Sequence, residues 1–233
     1  MKPSLLLFTL LIGAYLVQAQ GSIRVNAGDD IAKAYSPSGF YRFPEFLESA
    51  FIMKDGQTAK TKANYNFITR AVQYISQRGD TLELTQPERV ALVTIGTTSF
   101  VYDKFFMEII SNNDSLKLAK RTVVKLHMEK KGGYGEPAPS ASIDNYTNLL
   151  TAASVFSLRL NQEVVVTTMY SYFWLDYENH VAPATKKNID KLLAPAGKPK
   201  VEAFIAQNDI NFNKEEQLLQ LAQFAAAYAK TGK

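Results

Sequence analysis

Ala59-Lys60-Thr61-Lys62-Ala63-Asn64-Tyr65-Asn66-Phe67 alternates strictly. Ala59, Thr61, Ala63, Tyr65 and Phe67 fall on one face of an extended chain, and Lys60, Lys62, Asn64 and Asn66 on the other. Successive side chains of a strand point to opposite faces, so this period of two predicts a half-buried strand with a solvent side. Upstream, Glu48 to Met53 reads as a strand ended by Asp55-Gly56. Downstream, Val72 to Ile75 is closed by Arg78-Gly79-Asp80, Leu82 and Leu84 mark a short strand, Gln86-Pro87-Glu88 breaks it, and Val90 to Ile95 forms another before Gly96. Between Lys54 and Gly96 there is no room for parallel crossovers, which need about a dozen residues each. The closely spaced strands therefore predict an antiparallel meander.

The same reading extends outward. Phe100, Val101 and Tyr102 continue the pattern, Phe105 to Ile110 fits either a strand or a short helical turn, and Thr122 to Met128 fits a strand. Gly132-Gly133-Tyr134-Gly135-Glu136-Pro137-Ala138-Pro139-Ser140 reads as a surface loop. Phe156, Leu158 and Leu160 alternate, Asn161-Gln162 offers a turn, and Val164 to Met169 is β-branched enough for a well-buried strand. Towards the N-terminus, Gly21 to Gly39 reads as an irregular entry with at most one short strand, so the packed domain is expected from about Tyr41.

Beyond Pro183 the period lengthens. Thr185 is placed to cap a helix carrying Ile189, Leu192 and Leu193 that stops at Ala194-Pro195. Val201, Phe204 and Ile205 predict a second helix. Asn213 with Glu216 resembles a capping box opening a last helix to about Tyr228, whose stripe is Leu218, Leu221, Ala222, Ala225 and Tyr228. The fold class is α+β and predominantly β: an antiparallel meander forming an open barrel or paired sheets, with short C-terminal helices packed on it. Its expected divisions are a signal peptide at 1–19, an irregular segment at 20–40, a β-rich domain at 41–180 and a helical part at 181–233.

The signal peptide rests on Lys2, the apolar run Leu5 to Leu16 and the small residues of Val17-Gln18-Ala19, with cleavage expected after Ala19. An apolar run that short falls below the roughly 20 residues a spanning helix needs. Cysteine is absent from the chain, which excludes disulfides, thiolate metal sites and attachment of lipid through an N-terminal Cys. The formal charge of +4 is dispersed, and Lys130-Lys131 and Lys186-Lys187 are too short to make a nucleic-acid-binding face.

Chemistry is sparsely marked. His127 and His180 lie far apart with no HExxH spacing, the Gly132 cluster lacks the Lys-Ser/Thr pair of a phosphate-binding loop, and neither Ser99 nor Ser171 stands in a GxSxG elbow. Asp103 with Glu108, and Asp176 with Glu178, are carboxylate pairs of a kind that chance supplies in most domains. No catalytic residue, metal ligand or cofactor is therefore assigned. Tyr170, Tyr172, Trp174 and Asp176 share one parity of a strand. Aromatics so placed either brace the sheet through cross-strand packing or line a ligand surface, and Tyr170, Tyr172 and Trp174 are the ligand-binding candidates.

Three sets of segments resemble a loosely defined group of exported proteins from Bacteroidetes-type bacteria. They are Ala50-Phe51-Ile52-Met53-Lys54-Asp55-Gly56 with Asn64-Tyr65-Asn66, then Gly79-Asp80-Thr81-Leu82, then Thr185 to Leu193 with Val201 to Glu215, including Asn208-Asp209-Ile210-Asn211-Phe212. The resemblance implies a Gram-negative periplasmic or secreted setting and carries no reaction or catalytic residue with it. Together the readings lead to an exported cell-envelope protein that is non-catalytic and binds a macromolecular partner. The alternatives are a periplasmic carrier of a small lipid or glycan and, third, a hydrolase.

Overall fold

In the computed structural model, which describes residues 19–128 and 163–231, the period-two segments pair into one antiparallel sheet of 11 strands. The leader up to Gln18, the Gly132 to Ser140 loop, and the alternation and turn assigned between Phe156 and Gln162 lie outside the described residues. A first meander joins β2 (Leu47–Met53), β3 (Thr58–Asn66), β4 (Ala71–Ile75) and β5 (Thr81–Glu83). A second joins β6 (Val90–Ile95), β7 (Thr98–Asp103), β8 (Phe105–Asn112), β9 (Leu116–Met128) and β10 (Val164–Asp176). The two halves are stitched by β6 lying against β2, not against β5. One edge of β10 is completed by β1 (Ala19–Val25) over its first half and by β11 (Val181–Pro183) over its second. The strand order runs from β1 at one edge to β5 at the other, and the sheet does not close into a barrel.

It does curl. β3 and β8 are four strand spacings apart in the sheet, about 19 Å if it were flat, yet the rings of Tyr65 and Phe106 lie 6.2 Å apart. Tyr65 also stacks on Phe100 of β7, at 5.4 Å between ring centroids. The concave face is thereby filled with Phe51, Ala63, Tyr65, Val72, Val93, Phe100 and Phe106. Further along that face, Val124, Val164 and Val166 pack with Val25, Ile31 and Phe40. The chain enters β7 through a tight turn at Gly96, whose φ of 58° is a conformation favouring glycine, with Leu47 Cδ1 3.0 Å from where a Cβ would stand.

The far end of the concave face is covered by α2 (Lys186–Leu192), α3 (Lys198–Gln207) and α4 (Glu215–Ala226), which bury Leu116, Leu118, Tyr172 and Trp174 against Ile189, Val201, Leu218 and Leu221. Among the described residues no helix is long and apolar enough to cross a membrane.

Several local expectations change. The entry segment holds a seven-residue strand and a short helix, α1 (Ile31–Tyr35), and Val25 and Ile31 are core residues, so packing starts before Tyr41. Phe105 to Ile110 is strand, and the strand predicted from Thr122 begins at Leu116. Asn64 and Asn66, assigned to the solvent side of β3, are buried. The Asn64 amide donates to the carbonyls of Phe43 and Glu45 and its oxygen accepts from Phe43 N–H, because the chain before β2 folds across that face. Thr185 caps α2 as expected, accepting from Asn188 N–H at 3.3 Å. The capping box does not form: α4 is capped at Lys214, which moves the third helical position to Gln217, and Gln217 reaches back to Asn211 N–H at 2.8 Å. That helix ends at Ala226, and the chain then bonds to the end of α2, with Ala194 N–H on Tyr228 O at 2.9 Å.

Candidate functional site

The register of β8, β9 and β10 sets Glu108 opposite Lys120 and Lys120 opposite Tyr172, a polar row across an otherwise apolar concave face. Thr122 and Tyr170 form the neighbouring pair. From one side Arg42 closes a two-pronged bond on Glu108, with Nε at 2.8 Å and Nη2 at 2.9 Å. From the other, Glu215 in the first turn of α4 takes Lys120 Nζ at 3.1 Å and the Tyr172 hydroxyl at 3.1 Å. Lys120 Nζ also stands 5.5 Å from the centre of the Tyr170 ring. The bond to Glu108 holds the Arg42 guanidinium above its ordinary pKa against the opposing effect of burial, with further help from the charges of Glu108 and Glu215. Burial raises the Tyr170 phenol, and the Glu215 carboxylate adds to the rise. The two cations and two carboxylates balance, and the row ties the segment before β2 and the start of α4 to the sheet.

Of the aromatic candidates, Tyr172 and Trp174 are buried. Trp174 is fully enclosed between sheet and helices, with Nε1 donating to Thr185 O at 3.4 Å. Tyr170 is half-buried beside the row, its hydroxyl without a hydrogen-bond partner among the described residues. The structure thus brings Tyr170 and Tyr172 to the edge and the floor of one polar site and places Trp174 in the core behind it.

A second feature is a groove of about 540 Å³ between α2 and α3. Ile189, Leu193, Val201 and Ile205 form its apolar base. Its charged rim pairs Lys186 with Glu202 at 2.8 Å and Lys198 with Asp190 at 3.1 Å, while Lys187 has no acidic partner among the described residues. The stripe of Leu218, Leu221, Ala222 and Ala225 on α4 is wholly buried in the core, and the groove is lined by α2 and α3 instead.

At the β10 to β11 turn, Asp176, Glu178 and His180 bring three ligand atoms within 4.8 Å of one another, a geometry in which a cation would fit. Asp176 is already engaged: Oδ1 accepts from the N–H groups of Glu178 and His180 at 2.9 Å each, and Oδ2 meets His180 Nδ1 at 3.0 Å. These bonds make the carboxylate the clamp of the turn. His127 lies on β9 on the face opposite the row, with the parity of Lys125.

Glu108 stands out in the sequence only as one of a carboxylate pair with Asp103, and Arg42, Lys120 and Glu215 were not singled out. A signal existed in β9, where Leu116, Leu118, Lys120, Thr122 and Val124 share a parity and the two polar residues interrupt an apolar face. Arg42 and Glu215 carry no such mark, because each reaches the row through tertiary folding. No protein-family model matches the chain, and the comparisons with curated proteins and solved structures found no match.

Proposed function

We propose that this is an exported, non-catalytic cell-envelope protein that binds a macromolecular partner through the groove between α2 and α3. The observation that carries the reading is the combination of an apolar base and a charged rim in one surface depression. Apolar anchors desolvated at the centre and polar contacts at the margin are how protein interfaces divide affinity from specificity. Lys187 favours an acidic residue on the partner beside the apolar anchor. The leader-like N-terminus and the resemblance to exported proteins support a periplasmic or secreted location.

The test is a photo-crosslinking side chain placed at Ile205 in one version and at exposed Lys60 of β3 in another, in cells that export the protein. A discrete crosslinked species at Ile205 only, weakened by Lys187→Glu, is the expected result. Absence of any crosslink at Ile205, with lipid or glycan copurifying instead, would turn the reading to a small-ligand carrier.

A further inference from the structure

The register that sets Glu108, Lys120 and Tyr172 on the concave face turns their neighbours to the opposite, convex one. There Lys117, Arg121 and Lys125 of β9 stand opposite Leu175, Ser171 and Thr167 of β10, with His127 beyond them. Charge that is dispersed along the sequence is thereby gathered, because three cations spaced four residues apart on one strand form a line of about 26 Å. Among the described residues no carboxylate shares that face within β8, β9 or β10. On the concave face, by contrast, Arg42 and Lys120 are matched by Glu108 and Glu215. Arg121 and Lys125 have no acidic partner among the described residues, and Lys117 Nζ donates to the Asn179 amide oxygen at 2.9 Å.

Beside this line the convex face is apolar. Met107, Ala119 and Leu175 are buried there, packed against Phe105, Phe173 and Val181, which stay partly exposed. The Phe105 and Phe173 rings lie 5.4 Å apart, and the Arg121 guanidinium sits 3.9 Å above the centre of the Phe105 ring, so cation and aromatic occupy one spot. Every residue of this cluster belongs to a strand, whereas the helices pack on the concave side. An antiparallel sheet with one solvated face ordinarily turns polar side chains to water. Apolar side chains left on that face beside uncompensated cations mark a surface that meets a partner. The sign of the charge identifies the partner. The rim of the groove between α2 and α3 mixes Lys with Asp and Glu, as suits a protein. The convex line carries one sign only and runs beside apolar side chains, which matches a layer that is negative at its headgroups and apolar beneath.

We propose that the convex face of β8, β9 and β10 docks onto an anionic lipid surface, with Lys117, Arg121 and Lys125 on the headgroups and Phe105 and Phe173 at the acyl boundary. This surface is separate from the groove between α2 and α3 and stands or falls independently of it.

The experiment uses the protein purified after export and follows its sedimentation with vesicles. Binding to mixed phosphatidylglycerol and phosphatidylcholine vesicles is expected, absent from pure phosphatidylcholine and falling as sodium chloride rises. Lys117→Gln, Arg121→Gln and Lys125→Gln are each expected to lower the partition coefficient about fivefold, and all three together about a hundredfold. Phe173→Gln is expected to weaken binding while leaving its salt dependence in place. A variant carrying Lys191→Gln, Lys200→Gln and Lys214→Gln loses the same charge from exposed positions on the helical side, and is expected to bind as the wild type. Thermal unfolding checks that each variant is folded; if Arg121→Gln or Phe173→Gln is not, the double variant Lys117→Gln with Lys125→Gln decides, with a loss of about 25-fold expected. No binding to the anionic vesicles overturns the proposal, as does equal binding to neutral ones. So does a triple variant on β9 that binds as the wild type, or an equal loss in the helical variant. Retention on heparin that the β9 variant loses, without any vesicle binding, also overturns it and assigns the face to a soluble polyanion.

Discussion

Asn64 shows what alternation in a strand does and does not encode. Its parity was legible, opposite to Ala63 and Tyr65, but parity names a face and says nothing of what lies on it. Here the face is covered by residues 41–46, brought back by the Tyr41 to Asn66 bridge and by Arg42 N–H on Tyr65 O at 2.9 Å. Replacing Asn64 with Leu removes the partner of Phe43 N–H and of two carbonyls, and is expected to lower stability by about 1–3 kcal/mol in denaturant unfolding. An unchanged midpoint would mean that water replaces the amide without cost. A second residue-scale prediction concerns the Asp176 clamp. The Asp176 hydrogen bond and charge raise His180 above its ordinary 6.5, so this interaction is fully present below that value and fades as pH rises through the raised one. For Asp176, burial raises the pKa, but the bonds from His180 and Glu178 outweigh it and leave it below 3.8. Its contribution is present above that value and fades as pH falls through the lowered one. Both charges coexist between the two folded-state values. In an NMR titration His180 should titrate above 6.5 and return towards that value in Asp176→Asn.

For the elements, the apolar spacing of 3 and 4 located the helices well, because burial of Ile189, Val201, Leu218 and Leu221 is what stabilises segments too short to persist alone. Their ends were harder to read. A capping box is a local pattern, and in α4 it yields to Asn211, whose side chain takes Asn213 N–H at 2.9 Å while its own N–H goes to Gln217. The join between α2 and α3 turns on Gly197. Its φ of −84° is open to any residue, so the requirement for glycine is one of space. A Cβ there would stand 2.4 Å from Tyr228 Cβ and 3.1 Å from Tyr228 O. Gly197→Ala must push the C-terminal turn away from α3, and a loss of about 1–3 kcal/mol is expected in thermal or denaturant unfolding. Full stability in that variant would show that the contact yields freely.

On the scale of the molecule, an antiparallel sheet with short helices on it was legible, since turn residues recur too often for crossovers. The placing of β6 against β2 was not. It depends on Phe51, Val93 and Phe100 sharing one core across the curl, a relation between distant strands that no local period records. Sheet and helices meet at Trp174, the sole tryptophan, which is completely enclosed by both. Deleting the chain from Asn213 onward removes Leu218, Leu221 and Ala225 from that core. A buried Leu is worth about 2–5 kcal/mol against Ala, comparable in sum to a whole domain's stability of about 5–15 kcal/mol. The deletion should therefore unfold the sheet as well, measured as loss of the cooperative transition and free quenching of Trp174 by acrylamide. A truncated chain that keeps a sharp transition and a shielded Trp174 would show that the sheet stands alone.

The partnership of β1 with β10 sets a clock. Arg24 and Glu163 meet across 139 positions, so the first strand to be made has no mate until the ribosome has moved well past the middle of the message. Holding so wide a loop closed is entropically unfavourable before the rest of the sheet exists. β1 therefore cannot pair before β10 is made. Until Val164–Asp176 exists, the backbone of Ala19–Val25 has no partner strand, and every hydrogen bond it makes in the sheet waits on a segment more than a hundred residues downstream.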